Sequence, residues 1–280
     1  MASYILSAFT DEYATSLDGQ IEALQRFGLD YTEVRHVDGK NISTLSSNEV
    51  KALKKRLDAV GKRVSAIGSP LGKIRLDDDF GAHLETARRV FESANLLETP
   101  FVRVFSFYAP VGGDITTMKE VVLERLDAML NLAQSCGVTL CHENEARIYG
   151  DVPARCHELL SFFKGRLQCV FDMGNFVLEG VEPLAAYELL RDYVAYFHIK
   201  DALAAGAIVP AHCGEAQIKH ILTAHASKAK TSFFVSLEPH LQTFSGLNAL
   251  TNVSFQNPYQ YENQQTAFAD AVAKFKEGME

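Results

Sequence analysis

Four predicted strands in the second half of the chain end in an acidic residue or a histidine. These residues are Glu143, Asp172, His198 and Glu238, and they lie 29, 26 and 40 residues apart. A carboxylate at the end of a buried strand is costly unless a cation or a hydrogen-bond donor meets it, and Glu is a poor strand former. A spacing of one strand plus one helix places each residue at the same end of successive parallel strands, where a βα barrel carries its chemistry. We therefore expect the four side chains to share one site, although any single acid at a strand end can also be a capping or salt-bridged residue.

Three carboxylates and one imidazole form a hard, oxygen-rich ligand set that predicts one bound divalent metal ion. Mn²⁺, Mg²⁺ and Co²⁺ suit such a set, and Zn²⁺ or Fe²⁺ is tolerated. An ion there could chelate two adjacent oxygens of a hydroxy-ketone, acidify the neighbouring C–H and hold the enediolate. Glu143 and Glu238 lie on different strands and would approach from different sides, so one could remove a proton and the other return it. The site predicts a sugar or keto-sugar isomerase or epimerase in which these glutamates are both metal ligands and the acid/base pair.

The elements that must position these residues alternate strictly between strand and helix. The predicted strands cover residues 4–9, 31–37, 64–68, 101–107, 138–145, 167–172, 194–199 and 231–237. Alternation of this kind predicts an α/β fold with a parallel sheet, and eight units in 280 residues favour a closed (βα)8 TIM barrel. An open doubly wound sheet is disfavoured because no glycine-rich phosphate loop follows the first strand, where SAFTDE stands. No linker interrupts the sequence, so residues 1–280 are predicted to form a single domain.

Composition narrows the classes of partner and compartment. The chain is 47% hydrophobic and carries a formal net charge of −8, which argues against nucleic acid as a partner and favours a small-molecule substrate. Its five cysteines are odd in number and lack CxxC spacing, so a reducing, cytoplasmic location is expected. No segment reads as a signal peptide or a membrane span, so no membrane partner is expected.

Several blocks of the sequence resemble the xylose isomerase-like barrels, also described as the sugar phosphate isomerase/epimerase group with the endonuclease IV-type fold. The more specific blocks are HENEARIYGD, FDMGNFV, YFHIKDA and VSLEPHL, and SAFTDE, EVRHVDGKN, IGSPLGKI and VRVFSFY extend the resemblance over nearly the whole chain. The resemblance implies that Glu143, Asp172, His198 and Glu238 bind one divalent metal. It also implies that the two glutamates exchange the proton, as in the keto-sugar epimerases. Asn175 stands where those epimerases commonly have a histidine.

Three further residues near the predicted ligands are candidates for binding substrate. His240 shares strand parity with the last glutamate, so it is expected either to face the site or to support it structurally. Lys200 follows the predicted histidine ligand by two residues and could contact a substrate oxygen, the alternative being a solvated lysine at the rim. Asn175 is a third candidate because of its place in the FDMGNFV block.

Glu33 and Arg35 are the remaining substrate-binding candidates. They alternate on the second predicted strand, so both side chains should point to the same face of the sheet. A sugar contact and an ion pair between the two residues inside the barrel mouth are equally compatible with this pattern.

Three other functions compete with the isomerase or epimerase. A dehydratase of an inosose-like keto-polyol would use the same metal site, with His240 or Lys200 as the general acid. A non-catalytic sugar-binding barrel is a second alternative. A DNA-repair endonuclease of this fold is a weaker one, because the places of its additional histidines read Gly68/Ser69, Ser106 and Asn175 here. By analogy with related barrel enzymes, a homodimer or homotetramer is expected.

Overall fold

The computed structural model describes residues 3–241 and 259–280. In that part of the chain, eight parallel strands form one sheet. The strands are β1 (Tyr4–Ala8), β2 (Tyr31–Val34), β3 (Arg63–Ile67), β4 (Phe101–Val104), β5 (Thr139–Glu143), β6 (Leu167–Asp172), β7 (Val194–Ile199) and β8 (Phe233–Leu237).

The sheet closes almost completely into a barrel. Each strand pairs in parallel with the next from β2 to β8, and β8 then pairs with β1. The remaining seam, between β1 and β2, is bridged where Thr32 Oγ1 donates to the carbonyl of Ala8 at 3.1 Å. The predicted α/β TIM-barrel fold is therefore confirmed. The assignment of residues 1–280 to a single domain stays a prediction.

Helices cover the outside of the barrel. They are α1 (Leu17–Arg26), α2 (Ser47–Ala59), α3 (Phe80–Leu96), α4 (Lys119–Ser135), α5 (Pro153–Phe162), α6 (Met173–Leu178), α7 (Pro183–Leu190), α8 (Ile218–Lys228) and α9 (Gln264–Met279). The helix α2 begins with a capping box, in which Ser46 and Glu49 each accept a hydrogen bond from the other's backbone N–H. Leucine, valine and phenylalanine side chains fill the layer between helices and strands.

The second and fourth barrel strands are shorter than the sequence pattern predicts. β2 ends at Val34, and His36–Val37 instead pairs with Lys40–Asn41 in a short hairpin. β4 ends at Val104 because the chain then turns toward the loop after β3, where the N–H groups of Phe105 and Phe107 donate to the carbonyls of that loop. These departures occur at the carboxyl ends of the strands, so they shape the face of the barrel that carries the candidate site.

The helix α6 was not predicted from the sequence, and it begins directly after the acidic end of β6. It has six residues, too few to show a helical hydrophobic period. Asp172 is its N-cap, since its Oδ1 accepts from the backbone N–H of Asn175 at 2.9 Å. The long connection after β7 also contains structure, a short antiparallel pairing of Asp201–Ala202 with Ile208–Val209.

Polar side chains occupy much of the barrel interior. The hydroxyls of Ser7 and Ser65 lie 2.7 Å apart, and Tyr196 donates its hydroxyl hydrogen to Glu33 at 3.1 Å. Groups of this kind are retained inside a protein when each finds a hydrogen-bond partner. The interior of the barrel is therefore a network of hydrogen-bonded polar and charged side chains rather than a purely apolar core. Among the described residues, no helix is both long enough and apolar enough to span a membrane.

Candidate metal centre

The structure brings the four predicted ligands together at the carboxyl end of the barrel strands. Glu143 and Asp172 end β5 and β6, His198 lies near the end of β7, and Glu238 follows β8 directly. Each of them offers a ligand atom, and these atoms all lie within 4.8 Å of one another. All four residues are buried. We call these residues the four-residue cluster.

His198 lies at the centre of this cluster. Its Nδ1 atom is 3.1 Å from Oε1 of Glu143 and 3.4 Å from Oε2 of Glu238. The register of the sheet places it directly beside Asp172 on the neighbouring strand. One ring nitrogen therefore faces the carboxylates that would share a metal ion with it.

The other ring nitrogen of His198 faces Glu33 on β2. Nε2 lies 3.0 Å from Oε2 of Glu33, and the hydroxyl of Tyr196 holds the second oxygen of the same carboxylate. Burial lowers the pKa of His198, but the charges of Glu33 and Glu143 outweigh burial and raise that pKa well above its ordinary value. Without a metal, both ring nitrogens are therefore protonated. A bound metal ion would replace the proton on Nδ1, whereas Glu33, which can only accept, would keep the proton on Nε2.

Lys200 joins two of the candidate ligands from one side. Its ammonium lies 2.9 Å from Oδ2 of Asp172, 3.2 Å from Oε2 of Glu238 and 3.1 Å from Oδ1 of Asn175. Burial opposes its charge, but Asp172 and Glu238 outweigh it and raise the pKa of Lys200. The lysine therefore stays protonated beside the cluster. Its partner Asn175 is held in turn, because the side-chain amide of Asn175 donates to the carbonyl of Asn144 at 2.9 Å.

Arg103, which was not among the predicted site residues, also contacts two of the candidate ligands. Its Nη1 is 3.1 Å from Oε2 of Glu143 and 3.4 Å from Oε1 of Glu238. Nη2 donates to the carbonyl of Gly68, which fixes the guanidinium inside the barrel. The available signal was a single charged residue in the middle of the apolar stretch FVRVF.

Arg35 binds Oε1 of Glu238 and three further side chains. Its Nη1 lies 3.0 Å from Oε1 of Glu238 and 3.3 Å from Nε2 of His240. The rest of its guanidinium binds Asp11 and Glu12, which follow β1 in the SAFTDE block and were also missed. These contacts of Arg35 are with groups other than Glu33. Glu33 is bonded to His198 and Tyr196 instead of forming the ion pair considered above.

His240 contacts the site from the loop that follows β8. The strand β8 ends at Leu237, so the expected strand parity does not explain its position. Its backbone has a positive φ of 48° and its N–H donates to Oε2 of Glu12 at 2.8 Å, which turns the ring so that Nε2 lies 3.4 Å from Oε1 of Glu238.

The three carboxylates of the cluster differ in acidity. Burial raises the pKa of Glu143, but the charges of His198 and Arg103 outweigh it and lower that pKa to about 2. Burial also raises the pKa of Glu238. The charges of Lys200 and His240 outweigh burial, so the pKa lies well below its ordinary value. Burial is the larger effect at Asp172 and raises its pKa to about 6 despite Lys200.

The cluster fits a bound divalent cation. Oε2 of Glu143 is buried and has no hydrogen-bond donor, although Arg103 lies within ion-pair distance. Arg103 offsets part of the charge of this oxygen, but no hydrogen-bond donor satisfies it, so it is available as a metal ligand. Carboxylate oxygens together with one imidazole nitrogen are suitable ligands for Mg²⁺, Mn²⁺, Co²⁺ or Zn²⁺.

Other polar residues near the strand ends have structural partners. His142 points away from its neighbour Glu143 and lies 3.0 Å from the hydroxyl of Ser106, and burial lowers its pKa to about 4. Lys73 forms an ion pair with Glu145 at 2.8 Å. These contacts lie beside the cluster without joining it.

The chain belongs to the family of xylose isomerase-like TIM barrels, whose model matches residues 21–224. No curated protein sequence matches it.

Solved structures of three proteins show the same fold. A probable 3-DHS dehydratase of Bacillus anthracis, involved in petrobactin synthesis, superposes with a TM-score of 0.74 at 16% identity over 99% of both chains. A 3-keto-D-glucoside 4-epimerase of E. coli gives 0.70 at 15% identity over 98% of this chain and 100% of that one. A xylose isomerase-like barrel protein of Mycobacterium smegmatis in complex with magnesium gives 0.70 at 16% identity over 100% of both. At these identities the likeness concerns the fold.

Proposed function

We propose that this protein is a divalent-metal-dependent isomerase or epimerase of a sugar or keto-sugar. The observation that carries the proposal is the convergence of Glu143, Asp172, His198 and Glu238, whose ligand atoms lie within 4.8 Å of one another at the catalytic face of the barrel. Membership of the xylose isomerase-like family supports it, and so does the likeness to an epimerase of E. coli.

The four-residue cluster would hold one ion of Mn²⁺, Mg²⁺, Co²⁺ or Zn²⁺. When bound, such an ion supplies electrophilic polarisation of the hydroxyl and carbonyl oxygens of the substrate. Glu33 keeps the Nδ1 atom of His198 turned toward the site. Asp172 is held in place by its capping bond at the start of α6.

Glu143 and Glu238 are the proposed acid/base pair. Glu143 ends β5 and Glu238 follows β8, on either side of the strand that carries His198, so one carboxylate can take a proton from one face of a substrate carbon and the other can supply the opposite face. Arg35 and Arg103 bind Oε1 of Glu238, which leaves Oε2 directed into the cluster. The arginines therefore fix the orientation of this base.

The predicted substrate-binding residues divide into two groups on structural grounds. Lys200, Asn175 and His240 have side chains that reach the cluster, and Lys200 is the donor placed to stabilise negative charge on a substrate oxygen. We assign Glu33 and Arg35 to positioning instead, because their described bonds run to His198 and Glu238.

A keto-polyol dehydratase on the same centre is the second candidate. Loss of water requires an acid that protonates the departing hydroxyl, and the Lys200 ammonium lies 3.2 Å from Oε2 of Glu238, beside the proposed base. The likeness to a probable dehydratase of Bacillus anthracis is compatible with it. Both candidates take a small-molecule substrate. The homodimer or homotetramer, the cytoplasmic location and the lack of a nucleic-acid partner stay predictions.

A metal analysis followed by an isotope-exchange assay tests the proposal. The purified protein should contain about one divalent ion per chain, and Asp172→Asn should lose it. The metal-loaded protein is then incubated in deuterated water with a panel of ketoses and keto-polyols. Deuterium incorporation without loss of water indicates an isomerase or epimerase, and a product lighter by one water indicates the dehydratase.

Variants of the proposed base provide the control. Glu238→Gln should slow exchange by about 10²- to 10⁴-fold, whereas Glu85→Gln, at an exposed position on the outer helix α3, should not. A protein that binds no divalent ion and exchanges no substrate hydrogen would refute the proposal.

A further inference from the structure

A recess opens at the end of the barrel that carries the four-residue cluster. It has a volume of about 780 Å³ and is lined by Arg75 after β3, residues 108–115 after β4, and Arg147 after β5. Arg147 follows Glu143 by four residues, and a stretch of that length spans at most about 14 Å. We call it the arginine recess. The wall of the recess at Arg147 therefore lies no more than about 14 Å, measured along the backbone, from Glu143.

The recess is a basic site on an acidic protein. The chain carries a net charge of −8, and the four-residue cluster is itself rich in carboxylates. The guanidinium of Arg75 is exposed, and within the described residues no hydrogen bond or ion pair uses it. A guanidinium matches the geometry of phosphate and carboxylate groups, to which it can donate two parallel hydrogen bonds.

The backbone at Arg147 adds an independent indication of function. This residue has a positive φ of 66°, a conformation that non-glycine residues rarely adopt. Such conformations persist where the surrounding structure imposes them, and they concentrate at ligand sites. Here the neighbouring Ile148 forms an antiparallel bridge with Tyr108, a residue of the recess lining, which holds Arg147 at the wall of the recess.

The other polar groups of the recess are compatible with an anion. Burial raises the pKa of Tyr108 to about 12, so its hydroxyl remains a neutral donor at physiological pH. Asp114 is the acidic residue of the lining, and its Oδ1 accepts from the backbone N–H and the hydroxyl of Thr116 at 2.9 and 2.7 Å. The lining therefore has two arginines and one carboxylate, and the nearby Glu145 is paired with Lys73.

Glu145 and Lys73 connect the recess with the cluster. Lys73 Nζ lies 2.8 Å from Oε2 of Glu145, which stands between Glu143 and Arg147 in the sequence. Glu145 follows Glu143 by two residues and precedes Arg147 by two. The recess and the cluster are therefore neighbouring parts of one face.

We propose that the arginine recess binds an anionic group, a phosphate or a carboxylate, at the far end of a substrate whose carbonyl end reaches the four-residue cluster. This inference rests on the proposed function, since it names the substrate class of the same site. It assigns Arg75 and Arg147 to binding the anion and Tyr108 to an additional hydrogen bond.

Binding of matched ligands to the metal-loaded protein tests the inference without requiring turnover. The probes are a ketopentose, its 5-phosphate and the corresponding keto-sugar acid, each titrated by calorimetry. The phosphate or the acid should bind more tightly than the free ketopentose, and the tighter of the two identifies the anion. The double variant Arg75→Gln/Arg147→Gln should weaken binding of that ligand by about 10- to 100-fold, the loss expected for charge-assisted hydrogen bonds.

The control variant is Arg88→Gln, which removes an exposed arginine from the outer helix α3. It should leave all affinities unchanged, whereas the double variant should reduce the difference in affinity between the anionic ligand and the free ketopentose. Equal binding of charged and neutral ligands, or an affinity for the anion that the double variant does not change, overturns the inference. Metal content and hydrogen exchange on neutral ketoses report on the proposed function separately, so the two can fail independently.

Discussion

The Nε2 atom of His198 lies 3.0 Å from Oε2 of Glu33, and neither side chain is exposed to solvent. This contact crosses the barrel from β7 to β2 and joins a candidate metal ligand to a carboxylate that is not one of the four. Carboxylates in this position orient the imidazole and increase its basicity as a ligand. The pair therefore orients one side of the candidate metal centre before any ion is bound.

Replacement of Glu33 by Gln should weaken metal binding without removing a ligand. The amide keeps the size of the side chain but loses the charge that favours a proton on Nε2 of His198. We expect the affinity for Mn²⁺ to fall by about 10- to 100-fold, measured by direct titration of the metal. Glu85→Gln on the exposed surface serves as the control, and an unchanged affinity in Glu33→Gln would contradict the assignment.

Removal of the Arg103 charge should destabilise the metal-free protein more than the metal-loaded one. Arg103 lies 3.1 Å from Glu143 and 3.4 Å from Glu238, both buried. Loss of one member of a buried ion pair costs about 3–5 kcal/mol, so Arg103→Met should lower the free energy of unfolding by about that amount in chelator. Saturating Mn²⁺ should reduce the loss, because the ion neutralises the same carboxylates.

Urea unfolding with and without metal measures this difference. Arg103→Lys retains the charge and should lose less stability in chelator than Arg103→Met. Arg88→Met provides the surface control. If Arg103→Met loses the same stability in both conditions, the guanidinium does not share its carboxylates with the metal.

The fold and the four ligand candidates could be predicted from the sequence because both depend on local patterns. Apolar strands alternate with amphipathic helices, and the acidic or imidazole residue at each strand end stands out against its apolar neighbours. Parallel strands then place these ends at one face by geometry alone. That is why Glu143 and Asp172 were found although they are 29 residues apart.

The charged residues around the ligands were harder to predict. Arg103 lies within β4, and a single arginine in a strand does not reveal which face it occupies or which acid it meets. Asp11 and Glu12 reach Arg35 because the chain forms a single 3₁₀ turn after β1, which no hydrophobic period indicates. His240 depends on a left-handed backbone conformation that the sequence PHL does not specify.

A buried histidine outside the site should make stability depend on pH. His83 on α3 accepts a hydrogen bond from the backbone N–H of Gly72 at 3.0 Å, which requires an unprotonated nitrogen. Burial, with a smaller effect from Arg125, lowers its pKa from 6.5 to about 4. Between these values the unfolded chain binds a proton that the folded chain does not, so stability is retained above about pH 6.5 and falls as the pH decreases toward 4.

The variant His83→Gln isolates this contribution. Glutamine can still accept the hydrogen bond but does not titrate. Its free energy of unfolding should decline less than that of the wild type between pH 6.5 and pH 4, by about 1–3 kcal/mol. Parallel urea titrations across this range measure the difference, and identical pH profiles would show that His83 is protonated equally in both states.

Gly72 should be the least replaceable glycine in the loop that leads to the arginine recess. Its φ is +86°, and a Cβ atom placed there would lie 2.0 Å from the carbonyl oxygen of Phe105, a backbone atom that cannot rotate away. Its own carbonyl also accepts from the N–H of Phe107 at 3.0 Å, so a shift of this loop would break the turn after β4. Gly72→Ala should therefore lower the free energy of unfolding by about 3–5 kcal/mol.

The control is Gly61→Ala, where φ is +67° but the space around the added carbon is open. It should lower the free energy of unfolding by only about 1–2 kcal/mol. Urea unfolding measures both losses. Gly72→Ala combines backbone strain with a steric clash, whereas Gly61→Ala has the backbone strain alone. Equal losses of stability would mean that the loop after β3 can move to relieve the clash without breaking the turn after β4.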